Sequence, residues 1–109
     1  MAIAPLTEEQ IAELKSKHAV MEGIEGPSCW LVFRKPTRHE YDRYLDSILA
    51  DKSKARTSAW QLAQDTIVFP NAQALTDALE AEPAILLDNI LPLVSRLAGD
   101  GKDRASLKL

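Results

Sequence analysis

Apolar positions along the chain recur with two different periods, and the changes of period mark out its elements. Thr7-Glu8-Glu9-Gln10 places a hydroxyl three residues before a Gln, the reciprocal pattern that caps a helix start, with two acids where the helix dipole favours them. The spacing predicts a helix over about 8–17, whose apolar positions Ile11 and Leu14 give only a narrow contact stripe; Leu6, before the cap, can staple to Ile11. Residues 19–25 and 29–35 then read as two strands across the turn signal Gly26-Pro27-Ser28. In the second strand, alternation sends Trp30 and Val32 to one face and Cys29, Leu31 and Phe33 to the other. Both faces are apolar, and an isolated hairpin is marginal in water. One face must therefore meet helices, and the other needs a partner or further helix.

Pro36 ends that strand, and Thr37-Arg38-His39-Glu40 is a second capping box. The helix it opens carries Tyr41, Tyr44, Leu45, Ile48 and Leu49, an i, i+3, i+4, i+7, i+8 stripe. After a polar break at 51–54, a third helix is predicted over about 53–66. Ala55, Ala59, Trp60, Leu62, Ala63 and Ile67 line one side, with small residues that allow close helix contact. Ile67-Val68-Phe69 reads as the apolar end of that helix, closed by Pro70. Asn71 can cap a fourth helix reaching about Glu80, with Leu75, Ala78 and Leu79 inward. Glu82-Pro83 opens the last helix, with Pro at the tolerated first position. Its apolar residues, from Leu86 and Leu87 to Leu97, cover most of the circumference. Pro92 falls on the polar stripe with Asp88 and Ser95, where it would bend the helix around the core; Gly99 suits the position just past the end. A helix this apolar is either the central core helix or part of an interface. The predicted fold class is α+β, mostly α, with about five helices and one N-terminal β-hairpin. One globular domain spans 1–99, followed by a flexible tail over 100–109.

Composition narrows the function classes. The chain has 109 residues, of which 46% are hydrophobic and 27% charged, values of a globular protein with one modest core. Sixteen acidic and thirteen basic residues give a net charge of −3, which argues against a dedicated nucleic-acid binder. The charge is uneven: residues 34–56 carry seven basic and four acidic groups, whereas 57–99 carry one basic and five acidic. With one cysteine there is no internal disulfide, and four glycines write no phosphate-cradling loop. No basic-then-apolar leader opens the chain, and the longest apolar stretch, 83–98, is interrupted by polar residues. A cytoplasmic protein without a membrane segment is expected.

Candidate chemistry is sparse. His18 and His39 lack a second ligand at metal spacing, since Arg43 stands where a helical zinc motif after His39-Glu40 needs its second His. Cys29 lies in a strand of bulky apolar residues, where a thiol behaves as a small hydrophobe. The acidic pairs Glu8-Glu9 and Glu80/Glu82 sit at helix ends. No catalytic site, metal or cofactor is therefore expected. One cluster combines Arg34, Lys35, Arg38 and Arg43 with Trp30, Tyr41 and Tyr44. An acidic protein partner suits it better than nucleic acid. The candidate contact residues are Trp30, Phe33, Arg34, Arg38, Tyr41 and Tyr44; for each of the aromatics the plain alternative is the hydrophobic core.

The order of these signatures resembles a known family. Phe33-Arg34-Lys35-Pro36-Thr37-Arg38-His39-Glu40-Tyr41-Asp42-Arg43-Tyr44, then Asp65-Thr66-Ile67-Val68-Phe69-Pro70, then Glu82-Pro83 and Leu97-Ala98-Gly99, looks like the tail assembly chaperones of long-tailed bacteriophages. The resemblance covers about Leu6 to Gly99. It implies a non-catalytic protein of the bacterial host cytoplasm that binds the tape-measure protein, keeps it soluble and hands it to the growing tail tube. It also implies a longer form made by frameshifting at the tail. The hairpin edge could instead pair with a second copy to give a homo-oligomer. On the residues alone, the alternative is a small bacterial or prophage regulatory or adaptor protein, antitoxin-like or anti-repressor-like.

Overall fold

The computed structural model describes residues 3–109. Within them the fold is α+β and mostly α, with five helices and a three-stranded antiparallel sheet of order β1-β2-β3. Helix α1 (Glu8–Lys17) is closed by the capping box its sequence predicts: the Gln10 N–H donates to Thr7 Oγ1 at 3.1 Å and the Thr7 N–H to Gln10 Oε1 at 2.9 Å. Strands β1 (Met21–Glu25) and β2 (Trp30–Arg34) form the hairpin, with Gly23 opposite Val32 and Ile24 opposite Leu31. The strands are shorter than the apolar runs. Lys35 still donates its N–H to Val20 O at 2.9 Å, but Val20 itself is exposed. Gly26 at the turn is required by space: a Cβ there would lie 2.7 Å from Cys29 O.

The hairpin is not the whole sheet. Ile67–Phe69 forms a third strand, β3, paired with β2 through Val32↔Phe69 and Phe33↔Ile67, with a register shift between them. The sequence pattern alone predicts the end of a helix here. Three residues are too few to show a period, and their strand character depends on a pairing partner far along the chain. β3 places β2 in the middle of the sheet, with helices against both of its apolar faces. Leu31 and Phe33 enter the core, and Val32 is buried on the opposite face.

Helix α2 (Arg38–Ala50) also opens on a capping box, with Glu40 N–H to Thr37 Oγ1 at 3.2 Å and Thr37 N–H to Glu40 Oε1 at 2.8 Å. A short 3₁₀ turn (Lys52–Lys54), capped by Asp51, leads into α3 (Ala55–Thr66). α3 is the centre of the molecule: Ala59, Leu62, Ala63 and Thr66 are buried, and it touches α2, β2 and the last helical segment. The small residues Ala59 and Ala63 permit that approach. Thr66 meets its own polar demand by donating its hydroxyl to Leu62 O at 2.8 Å. Asn71 caps α4 (Ala72–Ala81) through Oδ1, which accepts from the Ala74 N–H at 2.9 Å.

The last apolar segment is not one α-helix from Pro83. Leu86–Ile90 is a π turn, in which the Leu91 N–H reaches Leu86 O, and α5 (Leu91–Leu97) follows. Pro92 supplies the reason. It has no N–H, and its ring would clash with the carbonyl four residues earlier in a regular α-helix; widening the preceding turn relieves the clash. Pro92 itself faces solvent, the side its sequence position predicts. Ile85, Leu86, Ile90, Leu93 and Val94 are buried, so this segment is core on one side. Gly99, at φ +100°, ends α5: its N–H donates to Arg96 O and the Asp100 N–H to Ser95 O, the two bonds of a Schellman motif. Residues 102–109 are exposed and form no helix or strand.

Phe33 has no exposed surface, whereas Leu49, apolar too, is 82% exposed. Phe33→Ala is expected to cost about 3–5 kcal/mol of stability and Leu49→Ala less than about 0.5 kcal/mol, as measured by urea unfolding.

Candidate partner-binding surface

The six residues expected to contact a partner do not form one surface. Phe33 is sealed in the core, which excludes it from any contact; the plain core alternative holds for this residue. Trp30 is half-buried on the outer face of the sheet, where it shares a shallow groove with Leu6, Ile11 and Leu14 at α1 and with Val32. That groove lies where α1 covers the second apolar face of β2, so Trp30 serves the cover of the strand. Tyr41 and Tyr44 are half-buried against the core and against each other, with ring centroids 5.9 Å apart at 40°. Burial lifts the Tyr44 phenol above its usual range, and Tyr41 adds to the effect. Arg38 projects into solvent with only Asp42 beside it, a pair too exposed to matter for stability.

Arg34 has a structural task. Its guanidinium grips both oxygens of Glu40, Nη1 to Oε1 and Nη2 to Oε2, each at 2.8 Å, and Nη2 also donates to Asp65 O at 2.6 Å. One side chain therefore joins the end of β2, the first turn of α2 and the last turn of α3, from which β3 departs. Such bidentate pairs are strong and direction-specific. Arg43 pairs with the Asp65 carboxylate from the α2 side, and Gln61 donates to the same group. The bond from Arg34, reinforced by the Thr37 backbone N–H, holds the Glu40 carboxyl at about 2, well below the usual carboxylate range and against the opposing effect of burial. The basic cluster in the sequence is thus spent largely on internal pairing.

An open apolar groove lies elsewhere. A groove of about 650 Å³ runs between the start of α3, the end of α4 and the π turn. Trp60, Leu79, Pro83, Leu86 and Leu87 line it, with Arg56 and Asp88 among its other walls. A neighbouring hollow shares Trp60, Leu79 and Pro83 and continues the groove to Glu80. Trp60 and Leu79 pack their inner sides on the core, and Leu87 is 41% exposed. On α2, Leu45 and Leu49 are exposed as well, so the outer part of its stripe is left uncovered. The sequence did carry a signal for the groove: the last segment is apolar on nearly all sides, more than a core face requires. The π turn decides which residue faces outward, because it changes the angular position of every residue after Leu86.

His18 and His39 lie on α1's end and on α2, and Cys29 is half-buried at the turn into β2. Among the described residues, no three His, Cys, Asp or Glu side chains lie together in a group fit to hold a metal. No helix among them is long and apolar enough to cross a membrane.

A family model described as "Domain of unknown function (DUF6848)" matches residues 10–103. A solved structure, that of the uncharacterised protein rbstp2171 from Bacillus stearothermophilus, is similar with a TM-score of 0.61 and 24% sequence identity over 90% of this chain and 99% of that one. At that identity the likeness is one of fold. No curated protein matches the chain.

The Glu40–Arg34 pair generates a pH dependence. A carboxyl whose folded pKa is depressed contributes stability above its unfolded value of 4.5 and loses it as pH falls toward about 2. Glu40→Gln is expected to cost about 1–3 kcal/mol at neutral pH and to flatten the loss of stability between those two pH values, as read from urea unfolding along a pH series.

Proposed function

The chain belongs to the DUF6848 family, and for this member we propose the role of a non-catalytic phage tail assembly chaperone. It binds the tape-measure protein, holds it in solution and assists assembly of the tail tube, in the cytoplasm of the bacterial host. One observation carries the reading: the open apolar groove beside Trp60, walled by helices and bordered by the exposed Leu87. An open groove with apolar walls can take up the apolar side chains of a partner. A tape-measure protein is a long, largely helical chain with apolar faces, and a groove between helices receives such a face by side-chain anchoring. The resemblance in element order over Leu6 to Gly99 supports the same role, as does the position of a π turn at the groove, since these turns concentrate at functional places.

Co-expression with the tape-measure protein of the same phage or prophage tests the role. A soluble complex that co-purifies is expected; an unchanged, insoluble tape-measure protein and no complex would falsify it. Leu87→Ser is expected to lower the co-purified amount several-fold while changing stability by less than about 0.5 kcal/mol, as checked by thermal melting.

A further inference from the structure

We infer that the occupant of the groove is an amphipathic helix whose apolar face is flanked by Lys and Arg. This assignment rests on the docking role proposed above and names the chemistry of the docked segment. Two of the groove's walls come from α4 and the π turn. The stretch 72–90 that builds them contains Asp77, Glu80, Glu82 and Asp88 and no Lys or Arg. All four carboxylates are exposed. The salt bridges among the described residues engage Glu13, Glu22, Glu40, Asp42 and Asp65, none of these four. The third wall supplies a single cation, Arg56. Of the four, Asp88 lines the groove and Glu80 its continuation, so the apolar trough carries two carboxylates outside any ion pair against the one cation, Arg56.

These two carboxylates select for charge, and the walls select for conformation. The walls are helical segments and the short turn at Pro83–Ala84, and the sheet with its free edges contributes no residue to them. An extended segment would find no ladder to join there and would leave its own N–H and C=O groups unpaired as it desolvated. A helix brings its backbone already satisfied. Apolar side chains at i, i+3, i+4 and i+7 fit the trough of Trp60, Leu79, Pro83 and Leu87, and cations on either side of that stripe meet Glu80 and Asp88. An acidic helix would instead set like charges against Glu80 and Asp88.

Two fluorescein-labelled helical peptides of about 18 residues test this, identical in their Leu face and carrying either Lys/Arg or Glu on its flanks. Their binding to the full chain is followed by fluorescence anisotropy. In low salt the basic peptide is expected to bind about 10-fold tighter or more, an advantage that shrinks in about 0.5 M salt. Glu80→Lys combined with Asp88→Lys, both exposed positions whose folding is checked by circular dichroism, is expected to reverse the preference. Leu87→Ser is expected to weaken the basic peptide about fivefold at either salt concentration. Equal or tighter binding of the acidic peptide, still sensitive to Leu87→Ser, overturns the charge assignment and leaves the docking role standing. Binding of neither peptide, or binding indifferent to Leu87→Ser, overturns the helix assignment at this groove. A tape-measure complex that forms in co-expression but is unaffected by the double Lys variant overturns this inference alone.

Discussion

Strand β2 is apolar on both faces, and the rest of the molecule is arranged to cover them. Leu31 and Phe33 on one side and Val32 on the other are all buried. A strand of that kind cannot stand at the surface of a two-layer domain; it needs cover above and below. β1 and β3 flank it, α3 and α5 close the inner face, and α1 lies over the outer one. That last cover is thin, since Leu14 is the only buried residue of α1. It serves because Trp30 and Met21 share the same face and spread over Gly23, where a Cβ would crowd Val32 at 3.2 Å.

The placement of β3 shows how local and long-range interactions combine. Three residues hold little pairing energy of their own, yet β3 must meet β2 in one register. Arg34 sits at the end of β2 and grips both the capping carboxylate of α2 and the last turn of α3, two residues before β3 begins. The capping box is therefore more than a helix start. Glu40 closes α2 and at the same time holds the guanidinium that orients α3. Removing the carboxylate would leave a half-buried cation and an open helix end together, a coupling that neither motif has alone.

The groove beside Trp60 follows from a conflict in the last apolar segment. Its residues are apolar on nearly every side, so some must remain uncovered when the others pack. Pro92 prevents a regular helix, and the π turn before it sets which ones: Ile90, Leu93 and Val94 go inward and Leu87 stays outward. The proposed docking role uses this leftover surface, and Glu80 and Asp88 beside it give the proposed contact a preference for a basic partner. Function on this view lies in what the fold leaves exposed, with Trp60 anchored in the core on one side and offered to a partner on the other.

The sequence by itself determined much of this protein. Both capping boxes, the Asn71 cap, the Gly99 terminus and the hairpin across Gly26 depend on contacts within a few residues, and such contacts are written in adjacent side chains. The double-sided apolar pattern of β2 and the small inner face of α3 likewise follow from periodicity alone. The tertiary structure decided the rest. Ile67–Phe69 became a strand because β2 lay ready to pair with it. Phe33, expected at a contact, became core, and Arg34, expected at a partner, became an internal clamp. For the strand and for Phe33 the deciding partners are distant in the chain, and Arg34 joins nearby Glu40 to the distant Asp65 O; each side chain states only what it needs, leaving the identity of the partner to the fold.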